Sequence, residues 1–224
     1  MNGFQRSEMR QNMNKSVEEY RAEIKKILEE FYELQSVHNK IGIQMPEDYD
    51  IPSEMLTGEV ETDAKYNIKL VTWKMIPSDI TEKEIAELEK EIKMRLPDPL
   101  RAYYTSYYHL WELHTSISGN SPQARMSGIY SSYNELMIKF GYLPFTWDIE
   151  GAWLYCMKFD ENNNDCGIYW IDHEYMFDFD SETVTAQEIE KVMEFQAKDF
   201  CEYLYNETIG MAKYFIEHGL YSNK

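Results

Sequence analysis

The sequence is poor in positive charge. Its 224 residues hold 22 Lys and Arg against 40 Asp and Glu, a net charge of −18 at pH 7. Phosphate backbones are held by clustered Lys and Arg, so this balance argues against nucleic acid as a partner and favours a basic protein. Long apolar runs are missing too. Mean hydropathy is −0.59, and nothing approaches the roughly 20 apolar residues of a membrane span, so no membrane partner is expected. Met1 to Arg10 is polar and holds no apolar signal-peptide core, from which a cytoplasmic protein is expected. Cysteine is scarce. Cys156, Cys166 and Cys201 are odd in number, widely spaced and without a C-x-x-C pair, which argues against a disulfide framework. Aromatic residues are abundant, with 18 Tyr, 10 Phe and 5 Trp, enough for a sizeable core.

Catalytic constellations are also missing. His109 and His114 lack a third ligand at metal spacing, and His173-Glu174 is not part of H-E-x-x-H. There is no glycine-rich phosphate loop and no G-x-S-x-G elbow. The stretch from Asp160 to Asp165 begins like a calcium loop, but Asp165 stands where Gly belongs and Ile171 where Glu belongs. A polar hairpin turn is expected there. Close carboxylates such as Asp178 and Asp180 follow from abundance among 40 acids. No catalytic residue, cofactor or metal is expected, and the chain does not read as an enzyme.

Two regions differ in pattern, residues 1–80 and residues 81–224. Residues 1–13 read as a loose start. Val17, Tyr20, Ile24, Ile27, Phe31 and Leu34 fall on one helical stripe. Such a stripe docks on its own domain or forms a homodimer seam. Pro46, Pro52 and Pro77 break the following connecting and covering segment, with a short strand expected within 66–75. Thr81 and Glu84 form a capping box ahead of Ile85, Leu88 and Ile92. Asp98-Pro99 opens another helix, with Leu100, Tyr103, Tyr104, Tyr107 and Trp111 on its buried side. A strand is expected over 112–118. A helix is expected from Ser121-Pro122 to a stop at Gly141, carrying Ile129, Tyr133 and Leu136. Residues 153–159, 167–171 and 174–179 read as an antiparallel meander. Thr185 and Glu188 form a second capping box, opening one long helix through Ile189, Met193, Phe200 and Leu204, with Gly210 dividing off a last one. The order predicts an α+β fold, an antiparallel sheet with helices packed to one side.

Three segments, in this order, resemble the SUKH superfamily, which includes the yeast cell-wall assembly regulator and many bacterial immunity proteins. Ile85, Leu88 and Ile92 running into Leu96-Pro97-Asp98-Pro99-Leu100 are similar to its opening helix, Leu-Pro, helix. Leu143-Pro144-Phe145, Asp148, Gly151 and Trp153 to Cys156 resemble its Pro-Phe, acidic turn, Gly, strand core. Gly167 to Glu174 and the following helix with Phe195, Phe200 and Leu204 resemble its Gly-strand-Asp segment and closing helix. The resemblance covers about residues 81–207. Tyr108-His109-Leu110-Trp111 departs from the family's usual Asn-Gly, and residues 121–139 read as an insertion. It implies a protein-binding module: an immunity protein neutralising a cognate polymorphic toxin, such as a nuclease, or an intracellular regulator or scaffold.

The charge is also local. Residues 172–207 hold 11 Asp and Glu against Lys191 and Lys198, a net −9 and half of the chain's excess. An acidic surface fits the basic cleft of a nuclease and speeds encounter by roughly 10- to 1,000-fold. Asp172, Glu174, Asp178, Asp180 and Glu182 are the candidate contacts there. Trp147, Asp148 and Glu150 are candidates in the acidic turn, with Trp147 as the aromatic anchor.

Overall fold

A computed structural model describes residues 15–160 and 164–221. The start at 1–13 and residues 161–163 of the calcium-like turn lie outside the described residues. The first helix is α1 (Val17–His38). Ser16 and Glu19 cap it reciprocally: the hydroxyl accepts the Glu19 N–H at 3.2 Å and the carboxylate accepts the Ser16 N–H at 2.7 Å. Tyr20, Ile24, Ile27 and Phe31 enter one core with Leu100, Tyr103, Phe200 and Leu204. The stripe is therefore buried within its own chain. That corrects the alternative of a homodimer seam along it, since no exposed apolar row remains at those positions.

Three strands follow, β1 (Gln44–Pro46), β2 (Leu56–Asp63) and β3 (Ile68–Trp73), in an antiparallel sheet of order β1-β3-β2. The short strand expected within 66–75 is β3, and the covering segment supplies two partners for it. Met45, Met55 and Trp73 join the same core as α1. The capping box at Thr81 and Glu84 opens α2 (Glu82–Glu91), which buries Ile85 and Leu88. In α3 (Asp98–Tyr104) the cap position falls to Pro97, and the Asp98 carboxylate pairs with Arg95 at 2.8 Å. Tyr107 leaves the helix for β5 (Tyr107–Tyr108), paired with β4 (Ile76–Pro77).

The strand expected over 112–118 is absent. A 3-10 turn, Trp111–Leu113, leads into a segment whose side chains satisfy the backbone locally. Thr115 donates to the Trp111 carbonyl, Ser118 to the Phe145 carbonyl, and Asn120 to the Tyr104 and Tyr107 carbonyls. The helix expected from Ser121 begins later and is two, α4 (Ser127–Ser132) and α5 (Glu135–Lys139). Asn134 interrupts them because its side chain caps α5, accepting the Leu136 and Met137 N–H groups. Gly141 stops α5 as expected, at φ +81°.

The main sheet is β6 (Tyr142–Trp147), β7 (Trp153–Phe159), β8 (Asp165–Asp172) and β9 (Glu194–Ala197), antiparallel and in chain order. Two expectations need correction. Residues 174–179 are not a strand: Asp172 accepts the Glu174 N–H at 2.8 Å and caps α6 (His173–Asp178). The long helix is α7 (Ala186–Val192), then β9, then α8 (Phe200–Tyr205). Asp199 starts α8 afresh by accepting the Glu202 N–H, while Ala197 and Phe195 pair with Ile168 and Tyr169 of β8. Gly210 divides nothing. The helix passes through a π turn, Asn206–Gly210, into α9 (Met211–Glu217), with Gly210 at φ −59°.

The fold is α+β. Leu143, Tyr155, Met157 and Ile168 face the core shared with α1, α3 and α8. The alternate residues Tyr142, Leu154, Cys156 and Ile171 meet Met137 of α5 and Ile189 of α7. The larger helices thus gather on one face, and short ones cover the other.

Candidate interaction surface

Four of the eight candidate residues meet at one end of the main sheet. Asp148 and Glu150 lie in the turn from β6 to β7, where Asp148 Oδ1 accepts the Trp153 N–H at 2.8 Å. Trp153 pairs across the ladder with Asp172, and Glu174 follows in the first turn of α6. Glu150 and Glu174 are exposed. Asp178 ends α6, about 9 Å along at roughly 1.5 Å per helical residue, and Asp180 and Glu182 follow it. All three are exposed, and none forms an ion pair among the described residues. Asp180 instead closes a turn by accepting the Glu182 N–H at 2.9 Å. Among the described residues, lysine ion pairs in 172–207 include Lys158 with Glu190 and Lys198 with Glu202.

Trp147 is placed differently. It is half-buried against the second core, and its indole N–H points to the Ser131 carbonyl at 3.4 Å. The aromatic pair at the acidic end is Trp153 and Trp170, which escaped the reading by strand runs. Their rings stack at 4.8 Å and 27°. The indole N–H of Trp170 donates to Glu194 at 2.9 Å, and its ring meets Tyr155 edge-on. Trp170 leans on the first core, whereas Trp153 is half-buried and outside the packed sets of both cores. The signal was present in the register. Once 153–159 runs antiparallel to 167–172, Trp153 and Trp170 become diagonal neighbours on one face.

Two His–carboxylate pairs exist among the described residues: His173 Nδ1 lies 3.5 Å from Asp172 at the acidic end of the sheet, and the other pair is internal. His109 is fully buried, with Nδ1 3.4 Å from Glu112 and 3.3 Å from the Trp111 N–H. Its Nε2 lies 2.7 Å from the Tyr103 hydroxyl, which donates to the Ser118 carbonyl. These contacts occupy the ring, and no face of it reaches solvent. Burial pushes the Cys156 and Cys201 thiols up, so neither is a ready nucleophile at neutral pH. Among the described residues no three His, Cys, Asp or Glu side chains form a metal set, and no helix is long and apolar enough to cross a membrane.

A family model described as the SMI1 / KNR4 family (SUKH-1) matches residues 79–205. The chain belongs to that family. No curated protein matches it. SUKH-1 membership supports a protein-binding module of the immunity or regulatory kind, and the family is generally non-enzymatic. The SUKH-1 match runs from just before α2 to the last residue of α8. The helix α1, the three-stranded sheet, the π turn and α9 lie outside it.

Proposed function

We propose that this chain is a cytoplasmic immunity protein that neutralises a cognate bacterial toxin, with a nuclease as the best-fitting kind. The observation that supports the reading is the end of the main sheet, where Asp148 and Asp172 adjoin Trp153 of the Trp153–Trp170 stack, with Glu150 in the same turn and Glu174 at the start of α6. Acids that lack lysine partners attract a basic surface over distance, and a stacked tryptophan pair offers the rigid contact area on which binding energy concentrates. Asp178 at the end of α6, then Asp180 and Glu182, extend the same charge. A nuclease cleft, built for phosphates, carries the complementary sign.

The test is co-expression with the toxin encoded beside this gene. The chain is expected to rescue growth, and D178K/D180K/E182K is expected to lower the association rate and flatten its salt dependence. All three residues are exposed, so the triple variant is expected to melt as the wild type does. Absence of rescue against every neighbouring toxin sinks the reading. The second reading is an intracellular regulator of the cell-wall assembly kind, in which residues 1–80 carry the partner specificity. The exposed Val60, Tyr66 and Ile68 on the β2–β3 hairpin favour it.

A further inference from the structure

The π turn between α8 and α9 carries Glu207. A π turn inserts one extra residue into the helical ladder and re-aims the side chains it bears, and such turns concentrate at functional sites. Glu207 lines a cavity of about 380 Å³ between α1, the π turn, α9 and residues 111–116. The volume lies in the range of small-molecule sites. Its walls are largely apolar and aromatic, from Phe31, Trp111, Ile149, Met211, Phe215 and Tyr221.

Glu207 is half-buried there. Among the described residues it makes no hydrogen bond and no ion pair, and no Lys or Arg lines the cavity. Burial is what pushes its pKa up. A carboxylate held in apolar surroundings without a partner is unfavourable, and a cation relieves that cost. His114 stands exposed at the mouth, and partial desolvation lowers its pKa, so at neutral pH it brings little positive charge. Gln35 and Tyr221 are already joined, with the amide donating to the phenol oxygen at 2.9 Å.

We propose that this cavity binds a small organic cation, an ammonium or guanidinium on an apolar body, with its charge on Glu207 and its body against Phe31, Trp111 and Phe215. Aromatic faces attract cations, and the formal charge that the described lining residues supply is the negative one of Glu207. An anion meets that charge with nothing to offset it. A neutral apolar compound leaves the carboxylate unpaired. Phe31, Glu207, Met211, Phe215 and Tyr221 lie outside residues 79–205, whereas Trp111, His114 and Ile149 lie within them, so the site forms where the flanking helices meet the family domain. It does not rest on the toxin reading, although Ile149 of the acidic turn also lines the cavity and the site adjoins that end of the sheet.

Titration calorimetry on the full chain at pH 7.5 tests it, with phenethylamine and agmatine as cations, 2-phenylethanol as the neutral isostere and 3-phenylpropionate as the anion. Both amines are expected to bind one to one. The alcohol and the acid are expected to bind at least about tenfold more weakly, the size of one charge-assisted hydrogen bond. Glu207→Gln is expected to erase the advantage of phenethylamine over 2-phenylethanol without lowering the melting temperature, because it removes an unpaired charge. Equal binding of phenethylamine and 2-phenylethanol to the wild type overturns the proposal. So does cation affinity unchanged by Glu207→Gln, or no cation binding below about 10 mM.

Discussion

The Asp165 carboxylate accepts the Phe200 N–H at 2.8 Å, which ties the start of β8 to the first turn of α8. Its other oxygen accepts the Gly167 N–H at 2.9 Å. Burial outweighs both bonds and, helped by nearby Asp199, raises the Asp165 pKa to about 7. The two bonds act in the opposite direction, since they favour the charged form.

This gives stability a pH slope. The folded chain holds the Asp165 proton up to about pH 7, whereas an unperturbed carboxyl releases it near 3.8. The contribution is therefore present below the lower value and lost as pH rises through the upper one. Asp165→Asn keeps one accepting oxygen and cannot ionise. Melting temperatures of the two proteins are expected to lie close at pH 5, with the variant gaining on the wild type by pH 8. A difference that does not change with pH refutes the assignment.

Gly128 is a packing requirement. A Cβ at that position collides with the Ser118 hydroxyl and sits 2.6 Å from the Phe145 carbonyl, two atoms already bonded to each other at 2.9 Å. Close approach of α4 to β6 depends on the missing side chain. Gly128→Ala is expected to cost about 1–3 kcal/mol in chemical denaturation, as overpacked positions do. Ser118→Ala in the same chain relieves the hydroxyl clash but not the carbonyl one, so only partial recovery is expected.

What the sequence revealed and what it hid divide along physical lines. Capping boxes at Thr81 and Thr185 and the stripe from Val17 to Leu34 were legible because they are local and periodic. The break at Met193 was not. Residues 186–204 keep a helical period, and only pairing with β8, some two dozen or more residues away in sequence, draws Glu194–Ala197 into a strand. The reverse error at 174–179 has a local cause: its alternation suits a strand, but the Asp172 cap decides for a helix. The acidic candidates were visible as a count. That Trp153 and Trp170 also stand near them depended on register, and Glu207 depended on a π turn that composition does not announce.

Burial of α1 in the core makes the N-terminal region part of the folding unit. Ile24 and Leu28 are fully buried, and Lys213 of α9 pairs with Glu30 at 3.0 Å. Leu28→Ala is expected to cost about 2–5 kcal/mol, with both proteins sedimenting alike. A chain beginning at residue 41 is expected to lose its cooperative thermal transition. A sharp transition at an unchanged temperature in that shortened chain contradicts the shared core.

Trp153 and Trp170 separate binding from stability. Trp170 packs on Tyr155 and the first core and anchors Glu194, so Trp170→Ala is expected to disturb both. Trp153 contributes the outer half of the stack, and Trp153→Ala is expected to cost the fold roughly 0.5–1.5 kcal/mol, the value of one aromatic pair. Binding to the toxin identified by co-expression is expected to fall far more, by about 30-fold or more, as for a central aromatic anchor of about 2 kcal/mol. The loss is expected in the dissociation rate, whereas D178K/D180K/E182K acts on association. If Trp153→Ala leaves dissociation unchanged while the fold stays intact, the partner does not bind at this end of the sheet.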